Sequence, residues 1–320
     1  MLDYELAPYL ELDDYKAPEG IESYFIPMKD RKKIRLMCWK AKSNKTGNRG
    51  TILLQQGHNE FIEKYYETIQ EFLDRNFNVV SFDWRGQGLS EKMINEKNKQ
   101  YIENFDQHDS DLNFIVTKII KANFSSPLIA IGHSMGGCIL LSSLFRNQND
   151  FDAVILSAPM LGFKNEKILM FLAAIFKIFS SKNSFFPFSK PNMGIETPFK
   201  GNDLTNDPFR YERTQRLIRL KPEIRLWGVT TTWVNAVKKK LFSIRKKSLK
   251  LEINTNVLIF NSINDKVVNP ERTIEMANRL KNCEVINLPD IEHEIFMEKN
   301  IHRKKMWNEL DIFLNNLQNL

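Results

Sequence analysis

The stretch from Leu128 to Gly137 constrains this chain more than any other. Four apolar residues, Leu128-Ile129-Ala130-Ile131, run directly into Gly132-His133-Ser134-Met135-Gly136-Gly137, and a helix-like run follows. A short, continuously apolar run of this kind is what a strand covered on both faces of a parallel sheet shows. A serine with glycine two positions before it and two after it marks a sharp turn from that strand into a helix, because side chains do not fit at either flank. The turn thrusts Ser134 Oγ above the sheet. It also aims the first backbone N–H groups of the helix, Met135 first, at the place where an oxyanion would develop.

The rest of the 320 residues repeats the same alternation. Strands are expected at Tyr24 to Met28, Ile34 to Ala41, Thr51 to Gln55, Asn78 to Asp83, Leu128 to Gly132, Ala153 to Ser157, Asn256 to Asn261 and Glu284 to Leu288. Amphipathic helices fit Glu63 to Arg75, Asp109 to Ala122, Gly136 to Arg146, Glu271 to Leu280 and Arg303 to Leu317. The fold class is therefore α/β, a mostly parallel twisted sheet with helices on both faces. The first two strands read as an antiparallel hairpin at one edge. Between residues 160 and 250 the rhythm breaks into an aromatic, basic stretch with Pro187, Pro191, Pro198 and Pro208 and no buried-type strand. Its apolar run Ile168 to Phe179 suits a core helix, a cap helix lining a pocket or an interfacial segment, and is too short to span a bilayer. The expected organisation is a core in two parts, 1–159 and 251–320, with a helical lid at 160–250 inserted between them.

A serine hydroxyl is a poor nucleophile without a base, and in this kind of sheet the partners follow it in the order acid, then histidine. Two histidines follow Ser134. His293 sits just past the last strand, in Asp290-Ile291-Glu292-His293-Glu294, whereas His302 lies within a helical run beside Arg303, Lys304 and Lys305. Asp265 follows the strand through Phe260 and is the expected acid, with an Asx turn or helix cap as its structural alternative. Glu292 and Glu294 are rivals that flank the base too closely to turn onto its ring. A second oxyanion donor is expected from Gln56-Gly57-His58-Asn59-Glu60, where Gly57 would let the backbone approach and the N–H of His58 would donate. The His58 side chain is left open between a surface position and a substrate contact. Phe82-Asp83-Trp84-Arg85-Gly86-Gln87-Gly88 reads as a tight, structural turn.

Composition excludes several classes. Apolar residues make up 42 %, so the chain is neither disordered nor fibrous. Three cysteines without CxxC or Cys/His spacing point to a reducing compartment, with no disulfide framework, metal site or cofactor expected. The start, with Asp3 and Glu5, lacks the basic-then-apolar order of a secretory signal, so a cytoplasmic location is expected, with peripheral contact to the inner membrane as an option. The net charge of +7 gathers partly in Lys238, Lys239, Lys240, Arg245, Lys246, Lys247 and Lys250. No nucleic-acid-binding motif accompanies it, so the cluster reads as a solvated helix face, or else as a contact with an anionic membrane.

Assembled, these residues resemble the α/β-hydrolase superfamily, and within it the branch of bacterial lysophospholipases and monoacylglycerol lipases among the S33-like serine aminopeptidase relatives. The resemblance rests on Gly132-His133-Ser134-Met135-Gly136-Gly137, Asp83-Trp84-Arg85-Gly86-Gln87-Gly88-Leu89-Ser90, Leu156-Ser157-Ala158-Pro159-Met160 and the spacing from Asp265 to His293. It implies Ser134 as nucleophile, Asp265 as acid, His293 as base, and an oxyanion hole from the backbone of Met135 and His58. The family often has His-Gly where this chain has Gln56-Gly57. The implied reaction is hydrolysis of a monoacylated lipid ester through an acyl-enzyme, with a peptidase or amidase, or a non-catalytic hydrolase-like binding protein, as alternatives. Phe171, Phe176, Phe179, Phe185, Phe186 and Phe188 of the lid can form an apolar slot for the acyl chain, with packing of the lid on the core as the alternative reading.

Overall fold

The computed structural model describes residues 3–42, 47–96, 98–179, 181–187, 189 and 197–318. Its strands in chain order are β1 (Glu5–Leu6), β2 (Glu22–Pro27), β3 (Lys33–Trp39), β4 (Thr51–Gln55), β5 (Asn78–Phe82), β6 (Lys99–Gln100), β7 (Leu128–His133), β8 (Ala153–Ser157), β9 (Gly228–Val229), β10 (Asn256–Ser262) and β11 (Cys283–Leu288). Nine of them form one sheet in the order β1-β2-β3-β5-β4-β7-β8-β10-β11, while β6 and β9 pair separately. From β5 to β11 every neighbour is parallel. The β2–β3 hairpin is antiparallel, as expected, but it is not the edge, because β1 pairs outside β2.

The apolar strands are continuous because each serves two cores. Along β7, Ala130 faces one hydrophobic cluster, while Ile129 and Ile131 face the other; Val154 and Leu156 oppose Ala153 and Ile155 on β8 in the same way. The first face is covered by the helices Asp106–Ile115, Met135–Leu144, Thr231–Ser248 and Pro270–Ala277, the second by Tyr66–Asp74 and Asn300–Gln318. Asp106–Ile115 continues through a π-turn, Val116–Ile120.

The segment between β8 and β10 divides its allegiance. Helices Glu166–Phe179 and Thr231–Ser248 pack on each other and on the first core. Helix Pro208–Leu220, capped by Asp207, instead sends Leu217 and Ile218 into the second core. No helix among the described residues is long and apolar enough to cross a membrane.

Candidate active site

Strand β7 delivers Ser134 to a turn with φ 48° and ψ −112°, a conformation that strains any residue with a β-carbon. The strain is held by neighbours at the end of β8. Ser134 N donates to Ser157 O (2.9 Å), and Met160 N donates to Ser134 O (2.9 Å), so the motif Ser157-Ala158-Pro159-Met160 brackets the elbow. The two flanking glycines are required sterically. A Cβ on Gly132 would lie 2.7 Å from the backbone of Gly136 and Gly137, and one on Gly136 would lie 2.6 Å from Gln56 O.

Asp265 and His293 meet. The His293 Nδ1 lies 2.6 Å from Asp265 Oδ2, and the two residues are only 4 % and 1 % exposed. The other carboxylate oxygen accepts from the N–H groups of Val267 (2.7 Å) and Val268 (2.9 Å), so the turn-forming alternative is true alongside the pairing. Cap duty for the next helix falls to Asn269. With a carboxylate on Nδ1, the imidazole carries its proton there and presents a lone pair at Nε2. The His293 ring centroid is 4.7 Å from that of His133, the residue before the serine, which places the imidazole and the Ser134 turn at the same rim. The Ser134 hydroxyl makes no hydrogen bond with a described residue.

The rival carboxylates are committed elsewhere, Glu292 to Lys266 and Glu294 to Lys64. His302 lies half-exposed on the helix Asn300–Gln318.

The loop after β4 lies against the elbow, since a Cβ on Gly57 would come 3.1 Å from Ser134 Cβ. Its orientation is set by side chains. Gln87 Nε2 donates to Gly57 O (3.2 Å), and Asn59 N donates to Gln87 Oε1 (2.5 Å). In a trans peptide the carbonyl and the following N–H point in opposite directions, so holding the Gly57 carbonyl fixes where the His58 N–H points. In sequence Gln87 belongs to a tight turn, and its reach across to this loop has no local signal. The turn itself is structural as expected: a Cβ on Gly88, at φ +48°, would overlap the Asp83 carboxylate at 2.2 Å. Gln56 turns its amide into the core, its Nε2 donating to Ser81 Oγ (2.7 Å).

The His58 side chain packs against Trp233 with ring centroids 4.8 Å apart, and its Nε2 is buried without a partner among the described residues. Burial lowers its pKa to about 4, and does the same to His133, whose Nδ1 bonds Ser157 O (3.1 Å). Both rings are neutral near pH 7.

Of the phenylalanines singled out in the lid, Phe186 is part of the first core and Phe176 packs against it. Phe186 is buried and meets Phe176 edge-on, whereas Phe171 is 66 % exposed. Phe188 and the side chain of Phe179 lie outside the described residues. The basic cluster is likewise not wholly a solvated face. Lys240 is buried between Asp106 (2.7 Å) and Asp109 (2.8 Å), and Arg245 pairs with Glu166 (2.6 Å). Among the described residues, no group of three or more His, Cys, Asp or Glu side chains is arranged to hold a metal ion.

Comparison with known proteins agrees with the fold. The sequence profile of the family described as serine aminopeptidase, S33 matches residues 46–300. The chain is 26 % identical over 275 residues to the Haemophilus influenzae protein named probable lysophospholipase L2, covering 83 % of this chain and 84 % of that one. It is 27 % identical over 114 residues to a monoacylglycerol lipase of Mycolicibacterium smegmatis, covering 36 % of this chain and 39 % of that one. Among solved structures, a soluble variant of monoglyceride lipase from Saccharomyces cerevisiae, in complex with a substrate analog, superposes with a TM-score of 0.72 at 19 % identity, covering 97 % of this chain and all of that one (100 %).

Proposed function

Because the chain belongs to the serine aminopeptidase, S33 family and has the α/β-hydrolase fold, we propose that it is a serine hydrolase cleaving the carboxylic ester of a monoacylated lipid, a lysophospholipid or a monoacylglycerol. The observation that carries this reading is the buried 2.6 Å contact between His293 and Asp265, at the rim where the strained turn holds Ser134.

The proposed steps use this chain's own groups. As Ser134 Oγ bonds to the ester carbon, its proton passes to His293 Nε2, and the carbonyl π pair moves onto oxygen. The N–H groups of Met135 and His58 receive that oxyanion, and Asp265 steadies the imidazolium. The oxyanion collapses, the C–O bond to the leaving alcohol breaks, and the alcohol takes the His293 proton. Water then repeats the sequence on the acyl-enzyme, its proton going to His293 and from there to Ser134 Oγ.

The preference for lipid is supported by the names of the relatives and by the outer face of the segment 160–250, a lid in this reading. That face exposes Ile168, Phe171, Ile178 and Phe242 beside several lysines, a composition suited to an anionic membrane surface. Three cysteines free of disulfides fit a reducing cytoplasm. Wild type and Ser134→Ala should be compared on a p-nitrophenyl ester and with a fluorophosphonate probe. The wild type should turn over and label, and the variant should do neither; equal ester rates would remove Ser134 from the reaction. Release of amines from aminoacyl amides, with esters untouched, would favour a peptidase instead. An inert, unlabelled wild type would leave a hydrolase-like binding protein.

A further inference from the structure

Beneath the catalytic rim lies a cluster of buried charges that the proposed mechanism does not use. Lys64 is 5 % exposed, and its Nζ lies 2.6 Å from Glu60 Oε1 and 2.5 Å from Glu294 Oε1. Glu60 belongs to the loop that carries His58. Its other oxygen accepts from Gly57 N (2.5 Å) and from Tyr65 OH (2.9 Å). Glu294 is the residue immediately after His293, and its own N–H is tied to Leu204 O (2.7 Å). One ammonium thus bridges the loop of the expected oxyanion donor and the loop of the expected base, which are more than 200 residues apart in sequence.

Burying three such groups is expensive unless they are mutually paired, so a cluster retained at the reactive rim invites a role beyond folding. Burial by itself would raise Glu60, and Lys64 together with the Gly57 N–H brings it down to about 2; burial raises Glu294. Lys64 therefore sits between a firmly ionised carboxylate on the oxyanion side and a more easily protonated one on the base side.

We propose that Lys64, with Glu60 and Glu294, is a positioning unit that locks the oxyanion loop and the base loop into one geometry. The unit touches no reacting atom. It fixes the Gln56–Gly57 peptide, next to the one that carries the His58 N–H, through Glu60, and the entry to His293 through Glu294, so that donor and base keep their spacing while charge develops. This rests on the catalytic roles proposed above for His58 and His293.

The test is a double-mutant cycle on kcat with a soluble p-nitrophenyl ester, using Glu60→Gln, Glu294→Gln and the combination. Both changes keep the size of the side chain and one acceptor oxygen. Each single variant is expected to lower kcat about tenfold with KM within about twofold, and the double variant to fall by much less than the product of the two, because the unit is already broken. A single variant at the wild-type kcat, a strictly multiplicative double, or a loss carried by KM overturns the proposal. If either glutamine variant fails to fold, Tyr65→Phe decides. It removes one donor to Glu60 without changing charge, and should lower kcat about threefold at constant KM; an unchanged kcat overturns the proposal. A wild type that neither hydrolyses the ester nor labels with fluorophosphonate would sink the catalytic reading itself. An active wild type with indifferent variants would sink only the positioning unit.

Discussion

The rim of the sheet and the segment that crosses it are built by opposite rules. At the rim, backbone from three loops approaches so closely that a single added methyl group on Gly136 would meet a carbonyl oxygen at 2.6 Å, and the polar side chains there are buried and mostly partnered. In the crossing segment, Ile168, Phe171, Ile178 and Phe242 stand 63 %, 66 %, 77 % and 69 % exposed, while one face of each helix packs on the core. Close packing preserves a reacting geometry, whereas a loosely committed apolar surface can adapt to what it meets. The first region should therefore respond to small chemical changes in rate, and the second, on the membrane contact proposed above, in binding to a lipid surface.

The largest expected effect belongs to the rim. Asp265→Asn preserves shape, and its amide oxygen can still accept from Val267 and Val268, yet the charge that selects the His293 tautomer is gone. The kcat on a soluble ester should fall by about 10³- to 10⁴-fold with the urea midpoint little changed. A loss under tenfold in a folded variant would mean that the contact with His293 is only structural, and the contrast between the two regions would lose its catalytic half.

The rim was legible for a physical reason. The Ser134 turn is a local steric device whose requirements are written within six residues, and Asp265 and His293 announce themselves by following strands at their carboxyl ends. What stayed hidden was whatever depends on tertiary pairing. Lys64 meeting Glu294, Gln87 reaching Gly57, and Lys240 entering the core between Asp106 and Asp109 join side chains that sequence spacing does not relate. The two-residue strands β1, β6 and β9 are too short to carry a period, and the π-turn at Val116–Ile120 left no trace in an otherwise helical pattern. The helix Pro208–Leu220 lies within the segment 160–250, where the sequence reads as loop-like around Pro208. Its Leu217 and Ile218 pack in the second core, because a helix with apolar residues on one stripe does not declare which partner it faces.

The next effect is on stability and separates the regions by pH. All five histidines lie outside residues 160–250. His108 is wedged between Trp84 (5.3 Å) and Phe105 (5.2 Å), neither ring nitrogen has a partner among the described residues, and burial drives its pKa from 6.5 to about 3. His133 is driven to about 4 by burial. Folded-state values below the ordinary one mean that the unfolded chain binds the extra protons. Stability is thus full above pH ~6.5 and is lost as the pH falls toward 4, by about 2 kcal/mol per buried histidine between pH 7 and pH 5. His108→Phe fits the same aromatic niche and should remove one such share of the loss, read as a smaller shift of the urea midpoint between those two pH values. An unchanged shift would locate the acid sensitivity elsewhere.

The smallest effect on the fold, and the one that tests the second region most directly, comes from Phe171→Glu and Ile178→Glu. Both positions are so exposed that replacement should change folding free energy by no more than about 0.5 kcal/mol. Turnover of a soluble ester should also hold, because neither side chain reaches the rim. Attachment to a lipid surface should not hold. Burying one large apolar side chain at an interface is worth about 1.5 to 3 kcal/mol, so each substitution should weaken co-sedimentation with anionic phospholipid vesicles at least about tenfold, with a matching loss in hydrolysis of vesicle-borne lipid. If vesicle binding survives both charges while soluble-ester turnover falls, the exposed stripe serves the rim and not a membrane, and the adaptability assigned to the crossing segment would have to be given up.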